Sequence, residues 1–307
     1  MPIVFADTLS PSWDLVADIQ ILLHFHFMQN AYLAGTLVAL TAGIMGYFMV
    51  LRSQSFAGHS LANVGFAGAT GAVLFGIPSV VGLFIAGLCA ALGMQALNLA
   101  ARQNRQSDIA VGAVFSASLA LGFLFIHLAT AEYAANVYNI LFGNVLGISD
   151  TDVSIILWST LLLLVILLVI ARPLCFASLD PDVAAAQGVP VRALAFGYLV
   201  LLALVVAVAV QVVGVLLIFA LLVTPAAIAQ YLTTRPGVAI VIAVVLALGF
   251  TWFGLAIGYF TPYPVSFFIT TFAFGTYVLV RGGRFVMNRV GRQFPAQTAL
   301  SRMGGDA

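Results

Sequence analysis

Apolar residues run along this chain in long blocks separated by short polar punctuation. Nine blocks of roughly 17–24 residues stand out, at 31–51, 59–76, 78–101, 109–128, 153–171, 193–212, 214–232, 237–258 and 264–281. Each is long enough, when helical, to cross about 30 Å of hydrocarbon. None holds an acidic residue or an internal Arg. The pattern predicts an all-α polytopic membrane protein with about nine transmembrane helices. Three features leave eight or ten crossings open. The second block is short and glycine-rich, a single residue separates the sixth from the seventh near Val213–Gly214, and 134–148 could form a partial or re-entrant helix.

The flanks divide the chain further. Residues 1–12 are polar and expected to fray. Residues 13–30 mix apolar side chains with Asp14, Asp18, His24 and His26, and Trp13 could anchor a helix lying at the interface. The alternative is that this segment extends the first span. Residues 1–30 thus form an extracytoplasmic or interfacial segment, 31–281 the membrane domain and 282–307 a basic tail.

The polar stretch 173–192, Pro-Leu-Cys-Phe-Ala-Ser-Leu-Asp-Pro-Asp-Val-Ala-Ala-Ala-Gln-Gly-Val-Pro-Val-Arg, is the longest interruption inside the membrane domain that still looks ordered. It reads as a loop with a short helix from about Asp182 to Gln187, stopped by Gly188.

Composition agrees with this division. Of 307 residues, 63% are apolar and 7% charged, against about 25% charged in a soluble domain. The net charge of +1 leaves no nucleic-acid footprint. All eleven basic residues are Arg, so a phosphate-cradling Gly-x4-Gly-Lys-Ser/Thr loop is excluded. With nine spans, all eleven arginines fall on one side, while Asp7, Asp14, Asp18, Glu132, Asp150 and Asp152 fall on the other. Positive charge stays in the cytoplasm, which places the carboxyl terminus and 173–192 inside and the amino terminus outside. Cys89 and Cys175 are too few and too scattered for a disulfide framework, and Cys89 should pack as a small hydrophobe. The amino terminus carries no basic region or early apolar core, so a cleaved signal peptide is not indicated.

Candidate chemistry is sparse. His59 and Asn63 lie four apart at the start of the second span, with Ser60 between them. They form the most polar helical face in the membrane domain. An ionisable residue there points to a transport path, and imidazole suits zinc. The equal alternative is a His59 that hydrogen-bonds a neighbouring helix. His127 and Glu132 could form an outer metal contact, though interfacial residues without a ligand are the simpler reading. His24 and His26, two apart, point in different directions. Pro225, with Thr224 beside it, should kink or break the seventh span and could mark a gate. Small residues at four-residue spacing (Gly35, Ala39, Gly43; Gly82, Ala86, Ala90; Gly112, Ser116, Ala120) read as close helix packing. No hydrolase or metalloprotease motif is present, so no catalytic residue is assigned.

Several blocks then resemble one family, the membrane permease subunits of metal-importing ABC transporters of the zinc/manganese/iron class. Val50-Leu51-Arg52-Ser53-Gln54-Ser55-Phe56-Ala57-Gly58 is similar to its Leu-Arg-Arg-x-Ser-x-x-Gly approach to the second span. Asp108 to Ser116 is similar to its acidic-x-x-x-Gly-x-x-x-Ser helix start, Leu141-Phe142-Gly143-Asn144-Val145-Leu146 with Asp152 to its Leu-Phe-Gly block, and Val213-Gly214 through Pro225-Ala226-Ala227 to its Val-Gly…Pro-Ala-Ala run. The resemblance covers about Phe27 to Val280.

The resemblance implies a homodimeric permease in the inner, cytoplasmic membrane, working by ATP-driven alternating access. A cytosolic ATPase would hold ATP and magnesium, and an extracytoplasmic metal-binding protein would deliver substrate. No cofactor would reside in this chain. The segment Asp180-Pro181-Asp182-Val183-Ala184-Ala185-Ala186-Gln187-Gly188 resembles the ATPase-coupling segment, so Asp180, Asp182, Ala185 and Gly188 become coupling residues by resemblance.

Two positions depart from the family. Its Gly-Asp-x-x-x-His start of the second span carries His59 and Asn63 here, and its later Asp-x-Pro reads Phe260-Thr261-Pro262. Without those carboxylates the path is less anionic, which disfavours hard manganese and ranks zinc first. A permease for a metal chelate or other small solute is the alternative within transport, and a non-transporting membrane scaffold the alternative outside it.

Overall fold

A computed structural model of the chain describes residues 24–100, 107–128 and 139–293. Its helices are α1 (His26–Leu51), α2 (Ser55–Leu74), α3 (Ser79–Ala100), α4 (Ser107–Leu128), α5 (Asp150–Leu179), α6 (Pro181–Ala186), α7 (Val191–Val213), α8 (Val215–Leu232), α9 (Pro236–Phe260) and α10 (Val265–Gln293), with a 3-10 turn at Val145–Gly147. Each of the nine apolar blocks falls on one long helix. Eight of these are long and apolar enough to cross a membrane, and α2 is not among the eight. The reason is its Gly, Ala, Ser, His and Asn content, and the protein itself supplies its surroundings: thirteen of its residues are buried.

The boundaries differ from the sequence reading in three places. First, α1 starts at His26, so 26–30 extend the first span; Trp13 and residues 1–23 lie outside the described residues. Second, the loop expected at 173–192 is mostly helix. Helix α5 runs unbroken through Pro173 to Leu179, because the chain beyond the proline still has an apolar face to bury, with Leu174 and Ala177 fully packed. Thirty residues at 1.5 Å each make α5 about 45 Å long, more than a bilayer's hydrocarbon, so its end projects. Third, α10 continues to Gln293, since polar residues end a span without ending a helix; 294–307 lie outside the described residues.

Side-chain contacts show which helix ends share a side. At one end His26 meets Asp150, Phe25 meets Tyr259, and Ser266 donates to the Phe142 carbonyl at 2.7 Å. At the other, Arg52 donates to Ser178 and Gln230 to the Tyr47 carbonyl. The long helices therefore alternate in direction, and Arg52, Arg172, Arg192 and Arg235 gather towards one end, called here the arginine end.

The core lies along α1, α7 and α8, where Phe48, Met45, Met49, Tyr198, Leu202, Leu217 and Ile218 are fully buried. On the outside, α5 exposes Trp158, Leu162 and Val169, as a lipid-facing helix should. Lipid gives apolar side chains no reason to leave it, so association rests on close packing of small residues. Two of the three small-residue stripes serve this: Gly43 lies on Val244 of α9, and Gly82 and Ala86 lie on Gly68 of α2. The third does not, as Ser116 and Ala120 on α4 are exposed. Cys89 is also exposed on α3 instead of packed, because the buried face of that helix is taken by Ala86, Ala90 and Met94.

The helix break predicted at Pro225 occurs elsewhere. Helix α8 passes through Pro225 intact, and the chain turns at Gly214, φ +83° and ψ 164°, between α7 and α8. This is a region of backbone space essentially reserved for glycine. Its neighbour is a second glycine of positive φ, Gly143, whose backbone lies directly against Val213 and Gly214. Thus the 139–148 segment is seated on the α7–α8 break. Of the re-entrant segment expected at 134–148, residues 139–142 are helical and the earlier part lies outside the described residues.

Gly214→Ala should cost about 1–3 kcal/mol in backbone conformation alone, and its methyl would also displace the 141–143 backbone. The expected result is a lower melting temperature for the purified protein. Gly93→Ala, with open space around it, should melt at or slightly above the parent. Equal melting of Gly214→Ala and parent would refute the seat described here.

Candidate functional site

Helix α1 ends at Leu51, and the chain reverses through Arg52, Ser53 and Gln54 into α2. Ser53 takes φ 55°, and the turn is closed by Ser53 N–H to the Val50 carbonyl and Gln54 N–H to the Met49 carbonyl. This turn sets α2 deep among its neighbours and puts His59 about one helical turn from the arginine end.

His59 is half-buried between two aromatic rings. Phe219 of α8 approaches edge-on at 4.8 Å between centroids, and Phe115 of α4 lies at 5.5 Å. Asn63, one turn along, donates to the His59 carbonyl at 2.9 Å, and its amide nitrogen lies 3.4 Å from Nε2. Nδ1 is buried with no hydrogen-bond partner in the protein. The expected pair therefore does come together, as an imidazole with an uncommitted nitrogen beside a carboxamide. Ser60 does not join them; it is fully buried and donates to the Val111 carbonyl of α4 at 3.4 Å. Among the described residues no group of three or more His, Cys, Asp or Glu side chains is placed to hold a metal ion. Thr224 is half-buried and Pro225 buried within the intact α8.

At the arginine end, α6 stands out from the bundle. Asp180 caps it, its carboxylate accepting from the Val183 N–H at 3.1 Å, and Pro181 occupies the first helical position. Gly188, φ +82°, terminates it; its N–H bonds to the Ala185 carbonyl and the Val189 N–H to the Ala184 carbonyl. Both ends are thus closed by their own residues, although the helix has only six. Ala184 faces inward and is fully buried, while Asp182, Ala185 and Gly188 are exposed.

Sequence reasoning missed two clusters. Arg52 lies beneath α6, donating to the Ser178 hydroxyl at 3.1 Å with its guanidinium 5.3 Å above the Tyr198 ring. Burial lowers its pKa, but a guanidinium stays charged at any physiological pH. Arg52 thereby joins the end of α1 to the last turn of α5 and the first turns of α7. At the opposite end, Asp150 accepts from Asn30 at 2.6 Å and lies 2.7 Å from His26 Nε2. The four-residue spacing of His26 and Asn30 was the available signal, but nothing local announces a partner 120 residues away. His24 takes no part in this cluster. His127 is exposed, and Glu132, its suggested partner, lies outside the described residues.

Comparison with known proteins gives a consistent answer. The model of the ABC 3 transport family matches residues 24–281. The manganese transport system membrane protein MntC of Halalkalibacterium halodurans is 34% identical over 215 residues, 70% of this chain and 72% of that protein. The chelated iron transport system membrane protein YfeD of Yersinia pestis is 34% identical over 67% of this chain and 68% of its own length. Among solved structures, PsaBC from Streptococcus pneumoniae in complex with Fab superposes with a TM-score of 0.76 at 30% identity, covering 86% of this chain and 94% of that one.

Arg52→Ala should remove one charge-assisted hydrogen bond and one cation–π contact, together about 2–4 kcal/mol, seen as a lower melting temperature. Arg52→Lys should recover only part of the loss, because an ammonium cannot lie flat on the ring while reaching Ser178. Full recovery by Lys would show that charge alone matters.

Proposed function

The chain belongs to the ABC 3 transport family, and we propose that it is the permease of an importer that moves a divalent transition metal, zinc first, across the cytoplasmic membrane. As a permease it hydrolyses no ATP; a separate ATPase subunit would do so. Relatives named for manganese and for chelated iron support a metal as cargo. The observation that carries the choice of zinc is the His59–Asn63 pair. A neutral imidazole with one free nitrogen beside a carboxamide, and no carboxylate in the pair, suits a borderline metal better than a hard one. The Phe115 and Phe219 rings fix the imidazole plane and keep the slot narrow.

Force would enter at the arginine end, taken as cytoplasmic because cationic loops stay inside. There α6 is the handle: Asp182, Ala185 and Gly188 present its outer surface, and Asp180 holds its shape. An ATPase gripping α6 would pull on α5, and Arg52 would pass the displacement to α1 and α7. Two copies of the chain would form the transport unit. An extracytoplasmic binding protein would load the metal at the opposite end.

The test is reconstitution with partner ATPase and binding protein, following ATP-dependent uptake of zinc, manganese and iron, free and chelated. Zinc uptake should dominate and fall about tenfold in His59→Ala, the loss of ~1.4 kcal/mol. Asp182→Arg and Gly188→Arg should abolish uptake while the protein stays in the membrane at parental level. Preference for manganese would overturn the choice of zinc. Unchanged zinc uptake in His59→Ala would remove that residue from the path, and no ATPase association would overturn the permease reading.

A further inference from the structure

Exposed charge and exposed apolar surface meet where α9 starts and α10 leaves the bundle, at the arginine end. On α10, Phe267, Phe274 and Val278 face outwards. Arg281 follows Val278 by three residues, Phe274 by seven and Phe267 by fourteen, so all four stand on one helical stripe. Arg281 and Arg284 are both exposed. On α9 the outward side chains are Val245, Val241 and Val238, and the exposed Arg235 lies just beyond them at the helix start. The two helices run antiparallel, with Gly254 packed on Ile269. Equal rise along each brings Arg235 within about a turn of Arg284 in height. Two neighbouring helices thus pass from exposed apolar surface to exposed arginine at one level.

These arginines lack counter-charge. Helix α10 continues to Gln293 and carries Arg289 and Arg292 beyond Arg284, and no acidic residue occurs between Asp182 and Asp306. Among the described residues the ion pair that forms, His26 with Asp150, lies at the opposite end. Arg281 donates to the Tyr277 hydroxyl at 2.7 Å, with its guanidinium 5.9 Å from that ring. Tyr231, near the end of α8, lies against Tyr277 at 6.1 Å between centroids. One neutral hydroxyl leaves most of the five donors of the guanidinium open. Tyrosines at the edge of an apolar belt are also where the headgroup layer of a membrane begins.

We propose that this edge of the bundle binds the headgroups of anionic phospholipids, with Arg281 and Arg284 on the phosphates and Arg235 beside them. The stripe that carries Arg281 lies against acyl chains, which puts its guanidinium at the depth of the phosphates. The planar fork of each guanidinium holds two phosphate oxygens at once. Basic residues directly after a transmembrane helix meet a negative membrane surface there, each adding about fivefold to binding. The handle α6 stands on α5 and α7, whereas this edge belongs to α9 and α10, so the two surfaces are built on different helices.

The test uses the delipidated full-length chain in neutral detergent, titrated with phosphatidylglycerol and phosphatidylcholine of equal chain length and read by native mass spectrometry. Phosphatidylglycerol should bind about tenfold tighter, and high salt should shrink the preference. Arg281→Gln with Arg284→Gln should remove most of it. Arg172→Gln with Arg192→Gln, an equal change of charge at the same end, should leave it intact. Equal binding of the two lipids, or equal losses in the two double variants, would overturn the proposal. So would an undiminished preference in the first double variant together with loss of the dimer or of ATPase association, which would give this edge to a second copy or to a soluble partner. If the Arg281 change unfolds the chain, Arg235→Gln with Arg284→Gln takes its place and should show the same loss. None of these readouts requires transport, so they stand apart from the test of metal uptake.

Discussion

Lipid offers no hydrogen bonds, so every backbone group within the membrane has to be satisfied by the chain itself. This constraint explains where the structure is regular and where it departs from regularity. The long helices satisfy their own groups. Among the described residues one interruption inside the bundle shows how such groups are covered. The α7–α8 break at Gly214 is sealed by the Gly143 turn, and that turn is held in place by Ser266. Two glycines of positive φ, 71 residues apart, thus depend on each other. Neither could carry a side chain without separating the two backbones.

The same constraint gives α2 its character. A helix in lipid must be apolar all round, whereas a helix surrounded by α3, α4, α7 and α8 need not be. The polar residues of α2 are tolerated because its neighbours exclude lipid, and the buried side-chain atom among them that finds no hydrogen-bond partner is the Nδ1 of His59. Its low hydropathy and its candidacy as a path thus have one cause, which is burial in protein. The aromatic rings of Phe115 and Phe219 come from helices far apart in sequence, so the slot is a property of the packed bundle.

The two ends of the bundle are built differently. The arginine end has a compact joint, in which Arg52 holds α1, α5 and α7 together beneath a short helix closed at both ends by its own residues. The opposite end has an open cavity beside the Gly143 segment, lined by neutral amides, with helix ends of both signs around it.

The sequence by itself determined the elements. Hydropathy placed nine helices, because a span of apolar residues has one stable backbone form in lipid. The alanine-rich run stopped by Gly188 marked a short helix from about Asp182, because left-handed turns are local chemistry, while the Asp180 cap and the start at Pro181 came from the structure. The His59–Asn63 pair was visible because four-residue spacing is set within one helix. What only the tertiary structure decided was everything that joins distant residues: Asp150 with His26 and Asn30, Arg52 with Ser178 and Tyr198, Gly143 against Gly214. It also decided that Pro173 and Pro225 interrupt nothing and that Ser60 turns away to Val111. Local rules estimate the cost of a proline or a buried hydroxyl, but whether that cost is met depends on neighbouring helices, which one-dimensional spacing does not specify.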